Sequence, residues 1–247
     1  MRSNLLILLS VLLFGCSSGN SEEGTNQSGE SNTVEESLCP DRSLNVAILI
    51  RDGVYNTELT APMDIFDHTQ YRCDNGMKVF TVAQDGFVVN SFEGLHIVPD
   101  LSYMDDSLPD FDVLVIPAAE DHLNAALEDS ALISKISYLG ERASYVISLC
   151  DGAFPLVESG LVDGKQVTTF PGDQDELQKR YKNVNVNKDV SFIRDGKFIT
   201  SVGGAKSFDA CLYLVQELYG RTGAVETANG MVISWDLSEI VYKEFNL

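Results

Sequence analysis

The stretch Tyr145-Val-Ile-Ser-Leu-Cys150-Asp-Gly-Ala-Phe154 constrains the fold more than any other part of this chain. An apolar, β-branched run stops at a cysteine, and small residues with helical character follow at once. That is the pattern of a strand turning sharply into a helix, a nucleophile elbow. Gly152 and Ala153 let the helix begin close to the strand. The elbow lifts the Cys150 side chain out of the sheet and over a helix N-terminus, where free N–H groups and the helix dipole favour an anion and bias the thiol toward thiolate. The same residues read equally well as a buried structural cysteine at a strand end, since free cysteine is among the most buried residue types.

The surrounding sequence alternates strand and helix patterns. Asn45-Val-Ala-Ile-Leu-Ile50 is a continuous apolar run, as expected of a strand buried on both faces. A helix is predicted from Thr57, its N-cap, to His68. A strand over Met77 to Ala83 and a hairpin over Phe87 to Val98, turning at Glu93-Gly94, come next. An acidic loop, Asp100 to Asp110, leads into a buried strand over Phe111 to Pro117. A helix over Leu123 to Leu139 precedes the strand Ser144 to Leu149 that feeds the elbow. Beyond it lie a turn at Gly160–Gly164, a strand over Gln166 to Phe170, a helix over Asp173 to Tyr181, a hairpin about Asp195-Gly196 and a closing helix over Ala205 to Tyr219. This order predicts an α/β fold: a doubly wound, mainly parallel sheet with helices on both faces, a flavodoxin-like three-layer sandwich. Ligands in such sheets bind at the carboxyl ends of the strands, where the elbow puts Cys150.

The N-terminus reads as a targeting segment. A short positive start, Met1-Arg2-Ser3-Asn4, precedes an apolar run from Leu5 to Phe14, too short to span a bilayer as a mature helix. Leu13-Phe14-Gly15-Cys16 resembles a bacterial lipobox with a bulkier residue than usual at Phe14, so residues 1–15 are read as a lipoprotein signal peptide and Cys16 as the lipidated residue. An ordinary secretory signal with a chance cysteine is the alternative. The acyl chains, at roughly 0.8 kcal/mol per buried methylene, would hold the chain to a bacterial envelope membrane without a spanning helix. Residues 16–37 are polar and acidic with almost nothing apolar, a tether rather than a folded segment. Residues 38–247 are then one domain.

The chain carries a formal charge of -20. Losing Arg2 with the signal makes it -21, and setting aside Glu22, Glu23, Glu30, Glu35 and Glu36 leaves -16 on the rest. An acidic surface argues against nucleic acid and anionic lipid as partners. Of the cysteines, Cys39 and Cys73 could pair in an oxidising compartment and pin the start of the domain, while Cys211 sits in an apolar helical run and reads as core. No C-x-x-C spacing, phosphate-cradling glycine loop or dinucleotide fingerprint appears, so neither a metal nor a cofactor is expected.

Three segments carry a resemblance. Val46-Ala-Ile-Leu-Ile-Arg-Asp-Gly-Val-Tyr-Asn-Thr-Glu-Leu-Thr-Ala-Pro-Met-Asp-Ile-Phe66 resembles the opening of the ThiJ/PfpI superfamily, within the class I glutamine-amidotransferase-like fold. It is most similar to the isonitrile-hydratase branch, whose opening also heads certain AraC-type regulators. Ser148-Leu-Cys-Asp-Gly-Ala-Phe, continuing through Glu158-Ser-Gly-Leu-Val-Asp-Gly-Lys to Thr168-Thr169, resembles the superfamily's elbow and following strand. Thr200-Ser-Val-Gly-Gly and Asp209-Ala-Cys-Leu-Tyr-Leu-Val215 resemble its closing segment.

The resemblance implies a set of roles. Glu58 would lean over Cys150, and a carboxyl in reach of a thiolate must itself hold a proton. The coupled pair could then protonate a bound carbonyl oxygen. The N–H of Asp151 and one near Ala118 or Ala119 would form an oxyanion site, although relatives carry Gly-Gly where this chain has Ala118-Ala119. The histidine that many relatives carry after the paired threonines is replaced by Phe170, which cannot take a proton. His122 is a spatial substitute or else an ordinary loop histidine, and His68 and His96 read as structural. Tyr55 and Phe170 would line the pocket. Two functions follow: a cysteine-dependent hydratase or lyase on a small electrophile of isonitrile or carbonyl type, or a non-catalytic ligand-binding or redox-sensing lipoprotein with Cys150 as its oxidisable thiol. A homodimer is expected by analogy, and a role as a DNA-binding regulator is not.

Overall fold

The computed structural model describes residues 38–105 and 107–246. The signal peptide, Cys16 and the tether lie outside the described residues. In chain order the elements are β1 (Asn45–Leu49), α1 (Asn56–His68), β2 (Lys78–Ala83), β3 (Val89–Asn90), β4 (His96–Ile97), β5 (Leu101–Ser102), β6 (Val113–Ile116), α2 (Ala125–Glu128), α3 (Ser130–Arg142), β7 (Tyr145–Leu149), α4 (Ala153–Glu158), β8 (Gln166–Val167), α5 (Gln174–Arg180), β9 (Asn185–Val186), β10 (Phe192–Asp195), β11 (Phe198–Ser201), α6 (Ser207–Gly230) and β12 (Tyr242–Phe245).

Eight strands form the central sheet in the order β12-β10-β11-β7-β6-β1-β2-β5. All neighbours are parallel except the β10–β11 hairpin. The apolar runs are continuous because both faces are covered. Along β1, Val46 and Ile48 face one core with residues of α1 and α6, while Ala47 and Leu49 face a second core built with α3 and α4. Alternation with a period of two thus sends successive side chains of one strand into different layers. The doubly wound three-layer sandwich expected from the sequence is the architecture found.

Several local expectations are corrected. Thr57 does not cap α1. The helix begins one residue earlier, and the Asn56 N–H is met at 2.9 Å by the Glu93 carboxylate from the turn of the β3–β4 hairpin. The acidic loop holds β5, which extends the sheet beyond β2. The helix expected over Leu123–Leu139 breaks at Asp129, whose carboxylate caps α3 by accepting from Leu132 N–H at 3.1 Å. β8 is only two residues long and pairs with β9, outside the main sheet. α6 runs past Tyr219, leaving helical geometry at Gly220 (φ 72°) before continuing to Gly230. β12, which the sequence reading did not include, lies parallel to β10 at the sheet's edge.

Cys39 and Cys73 form a disulfide, and Leu38 N–H donates to Tyr219 O at 3.2 Å, so the start of the domain is fixed to both α1's far end and α6. Cys211 is fully buried in α6. Among the described residues no helix is long and apolar enough to cross a membrane.

Candidate active site

β7 ends at Leu149, and Cys150 takes φ 55°, a left-handed conformation that side-chain-bearing residues adopt rarely. The chain then passes through a short 3₁₀ turn, Cys150–Gly152, into α4. Two glycines permit this geometry. A Cβ on Gly152 would overlap the Ile116 carbonyl oxygen at the end of β6, and one on Gly203 would overlap the Cβ of Cys150. Gly203 also needs its freedom of backbone angle, with φ 81°. The elbow is therefore clasped between the end of β6 and the Gly203–Gly204 loop.

That loop brings in Glu58. Gly204 N–H donates to Glu58 Oε1 at 2.7 Å, and the carboxyl is buried in the first turn of α1. Glu58 consequently acts electrostatically on Cys150. Glu58 thus acts on Cys150 across the Gly203–Gly204 loop, which packs against Cys150 and donates to Glu58 and whose part in the site was not foreseen.

The electrostatics run against the expected thiolate. Burial, together with the negative charges of Asp151, Glu58 and Asp173, pushes the Cys150 thiol well above its ordinary value. The backbone N–H of Asp151, expected in an oxyanion site, points instead to this sulfur and pulls weakly the other way. Among the described residues no basic side chain offsets the carboxylates acting on the sulfur, so the proton stays on it.

Asp151 brings a group that the sequence reading passed over. Its carboxyl accepts from the Thr169 hydroxyl at 3.0 Å, and the same hydroxyl meets the Cys150 carbonyl at 3.0 Å. Burial and the neighbouring Asp173 carboxyl, which shares a hydrogen bond with it, raise Asp151 to about 6. Two carboxyls so close cannot both ionise freely. The signal available in the sequence was the acidic residue beside Cys150 and a second acidic residue three positions past Phe170.

The remaining expected residues divide. His122 lies at the same sheet edge but is no base. Desolvation and nearby Arg51 lower it to about 3, and the Asp151 backbone accepts from its ring, so it is a neutral support of the elbow and not a solvated loop residue. The carbonyls of Ala118 and Ala119 are taken by Tyr55 N–H (3.1 Å) and His122 N–H (3.0 Å), and the N–H groups of the two alanines play no part in these bonds. Tyr55 does face the site. Its ring packs on Phe92 at 4.8 Å, and burial with the charges around Cys150 raises its hydroxyl. Phe170, the other expected pocket residue, lies over Gly172 and is 46% exposed. His68 and His96 are occupied by Asp64 O and Asn90 Oδ1, as structural residues are.

The strained cysteine at the carboxyl edge of the sheet and the first-helix glutamate that acts on it both lie within a stretch matched by a family model. The DJ-1/PfpI family model covers residues 44–217. The chain belongs to the DJ-1/PfpI family. Among curated relatives, the protein dj-1beta of Drosophila melanogaster is 25% identical over 78% of this chain and 100% of its own length. The isonitrile hydratase of Pseudomonas putida is 29% identical over 72% of this chain and 73% of its own. Among solved structures, a ThiJ/PfpI family protein from Pseudomonas syringae superposes with a TM-score of 0.70 at 27% identity, covering 78% of this chain and 76% of the other.

Proposed function

We propose that this protein is a lipid-anchored hydratase or lyase that adds Cys150 to a small electrophile of isonitrile or carbonyl type, with Glu58 carrying the proton. The observation that carries this reading is the Gly204 N–H to Glu58 hydrogen bond on the same loop that packs against Cys150. It fixes a proton acceptor beside a protonated thiol. The likeness to an isonitrile hydratase supports the substrate class.

For an isonitrile the steps balance without an added base. Sulfur attacks the terminal carbon as the thiol proton passes to Glu58, and Glu58 returns that proton to the same carbon, leaving a thioimidate on Cys150. Water then adds across the C=N bond, the C–S bond breaks, and an N-substituted formamide leaves with Cys150 again carrying a proton. A neutral resting thiol suits this sequence, because the attack and the proton transfer are coupled. It disfavours the redox-sensing alternative, which relies on thiolate character. Lipidation at Cys16, placement in a bacterial cell envelope and a homodimer complete the proposal.

The test is formamide production from an alkyl isonitrile by the full chain. Cys150→Ser should abolish it, and Glu58→Gln should slow it by about 10²-fold or more, the usual contribution of a positioned proton carrier. Formamide formed at an unchanged rate by either variant overturns the assignment.

A further inference from the structure

The charge pattern around Cys150 exceeds what that chemistry needs. One carboxyl suffices to carry the proton, yet Glu58, Asp151 and Asp173 all act on the sulfur, and Tyr55 faces Glu58, Asp151 and Glu120 as well. Glu58 is met by the backbone N–H of Gly204 and Asp151 by the Thr169 hydroxyl, both uncharged donors. His122, buried against the Asp151 backbone, is neutral. The basic side chains on the flanking loops are committed elsewhere: Arg51 to Asp121 at 2.7 Å and Asp129 at 3.6 Å, and Lys206 to Asp209 at 2.9 Å. Among the described residues the site thus presents carboxyls with no neutralising cation, in a partly buried setting where salt screens poorly.

Resting on the nucleophile reading above, we propose that the Cys150 site selects by charge, admitting uncharged or amine-bearing electrophiles and rejecting carboxylates and other anions. An anionic substrate would bring a further negative charge among the carboxyls of Glu58, Asp151 and Asp173, and the proton that reaches Glu58 during thiol addition is passed on to the substrate, so the site ends as acidic as it began. A protonated amine on the substrate would instead pair with the carboxyls. The substrate class is therefore a small neutral or cationic electrophile, and oxo acids are excluded.

Three thiosulfonates of similar size test this on the full chain: methyl, 2-aminoethyl and 2-sulfonatoethyl methanethiosulfonate. In each, the sulfur of Cys150 bonds the reagent's sulfenyl sulfur, methanesulfinate leaves and the thiol proton goes to buffer. Each rate is divided by that of the same reagent with N-acetylcysteinamide, and modification is mapped to Cys150 by mass. The sulfonatoethyl reagent should be slower than the methyl reagent by at least about tenfold, and the aminoethyl reagent equal or faster. The anion's penalty should shrink in both Asp173→Asn and Asp151→Asn. Equal normalised rates for all three reagents overturn the charge selection alone. So does a penalty that persists in both variants, which would mark shape as its cause. Modification of Cys150 by none of them overturns the nucleophile reading along with it.

Discussion

Cys150 and Cys211 are the two free cysteines among the described residues, and both hold their protons tightly, for different reasons. Cys211 sits in the second turn of α6 with no exposed surface, and burial alone pushes its thiol up. Cys150 is partly exposed on a strained turn, and carboxylates add to the effect of burial. The first is inert because nothing can reach it or be changed around it without opening the core. The second is held back by charges that a substrate or a single substitution can alter. Reactivity therefore cannot be read from the thiol's resting state alone; what matters is whether the groups holding the proton can also move it.

The largest way to break the comparison is Gly152→Ala. The added methyl would overlap the Ile116 carbonyl oxygen and lie 3.0 Å from its carbon, both backbone atoms that no rotamer change can relieve. Either the elbow or the end of β6 must move. The expected loss is at least about 3 kcal/mol, or failure to fold, read by denaturant unfolding. Cys211→Ala, which only removes a buried sulfur, should cost about 1 kcal/mol. A Gly152→Ala protein as stable as the Cys211→Ala protein would show that the elbow is not clasped as described.

That contrast also marks what the sequence could reveal. The strand leading to Cys150 and the alternation of both core faces were legible, because apolar runs and small residues after the cysteine are local signals. Glu58 was legible through its position in the resemblance. The Gly203–Gly204 clasp was not, since its reason is contact with a residue more than fifty positions earlier. The α1 cap from Glu93 was hidden for the same cause, as was the effect of Asp173 on Asp151, which depends on how two loops meet. The break at Asp129 yielded to a cap that competed with a longer helix pattern. β12 is too short and too mixed in composition to stand out, and gains its strand character from pairing with β10.

A sharper test removes one charge beside Cys150. Asp151 is raised to about 6 in the folded protein against an ordinary 3.8. Between these values the folded state binds more protons than the unfolded one. This contribution to stability is therefore fully present below about pH 3.8, falls as pH rises toward 6 and is flat above. Asp151→Asn keeps an acceptor for Thr169 and should abolish that fall in unfolding measured across pH. The same substitution should lower the midpoint of Cys150 alkylation by about one pH unit and leave Cys211 unmodified at every pH. A Cys150 profile that does not move would show that burial alone, as at Cys211, controls the thiol.

The smallest effect separates the two cysteines by sign. At Cys150, φ 55° costs an L-residue roughly 1–2 kcal/mol, whereas glycine adopts it freely. Glycine's greater freedom in the unfolded chain returns about 0.4–1 kcal/mol of that. Cys150→Gly should therefore be more stable than Cys150→Ala by about 0.5–1 kcal/mol. At Cys211, in regular helix, the order reverses, and glycine should be less stable than alanine by about 1 kcal/mol. Measured as paired denaturant midpoints with equal slopes, the two differences must have opposite signs. If glycine were the less stable substitution at both positions, the elbow would store no backbone strain. Cys150 would then differ from Cys211 only in the charges that surround it.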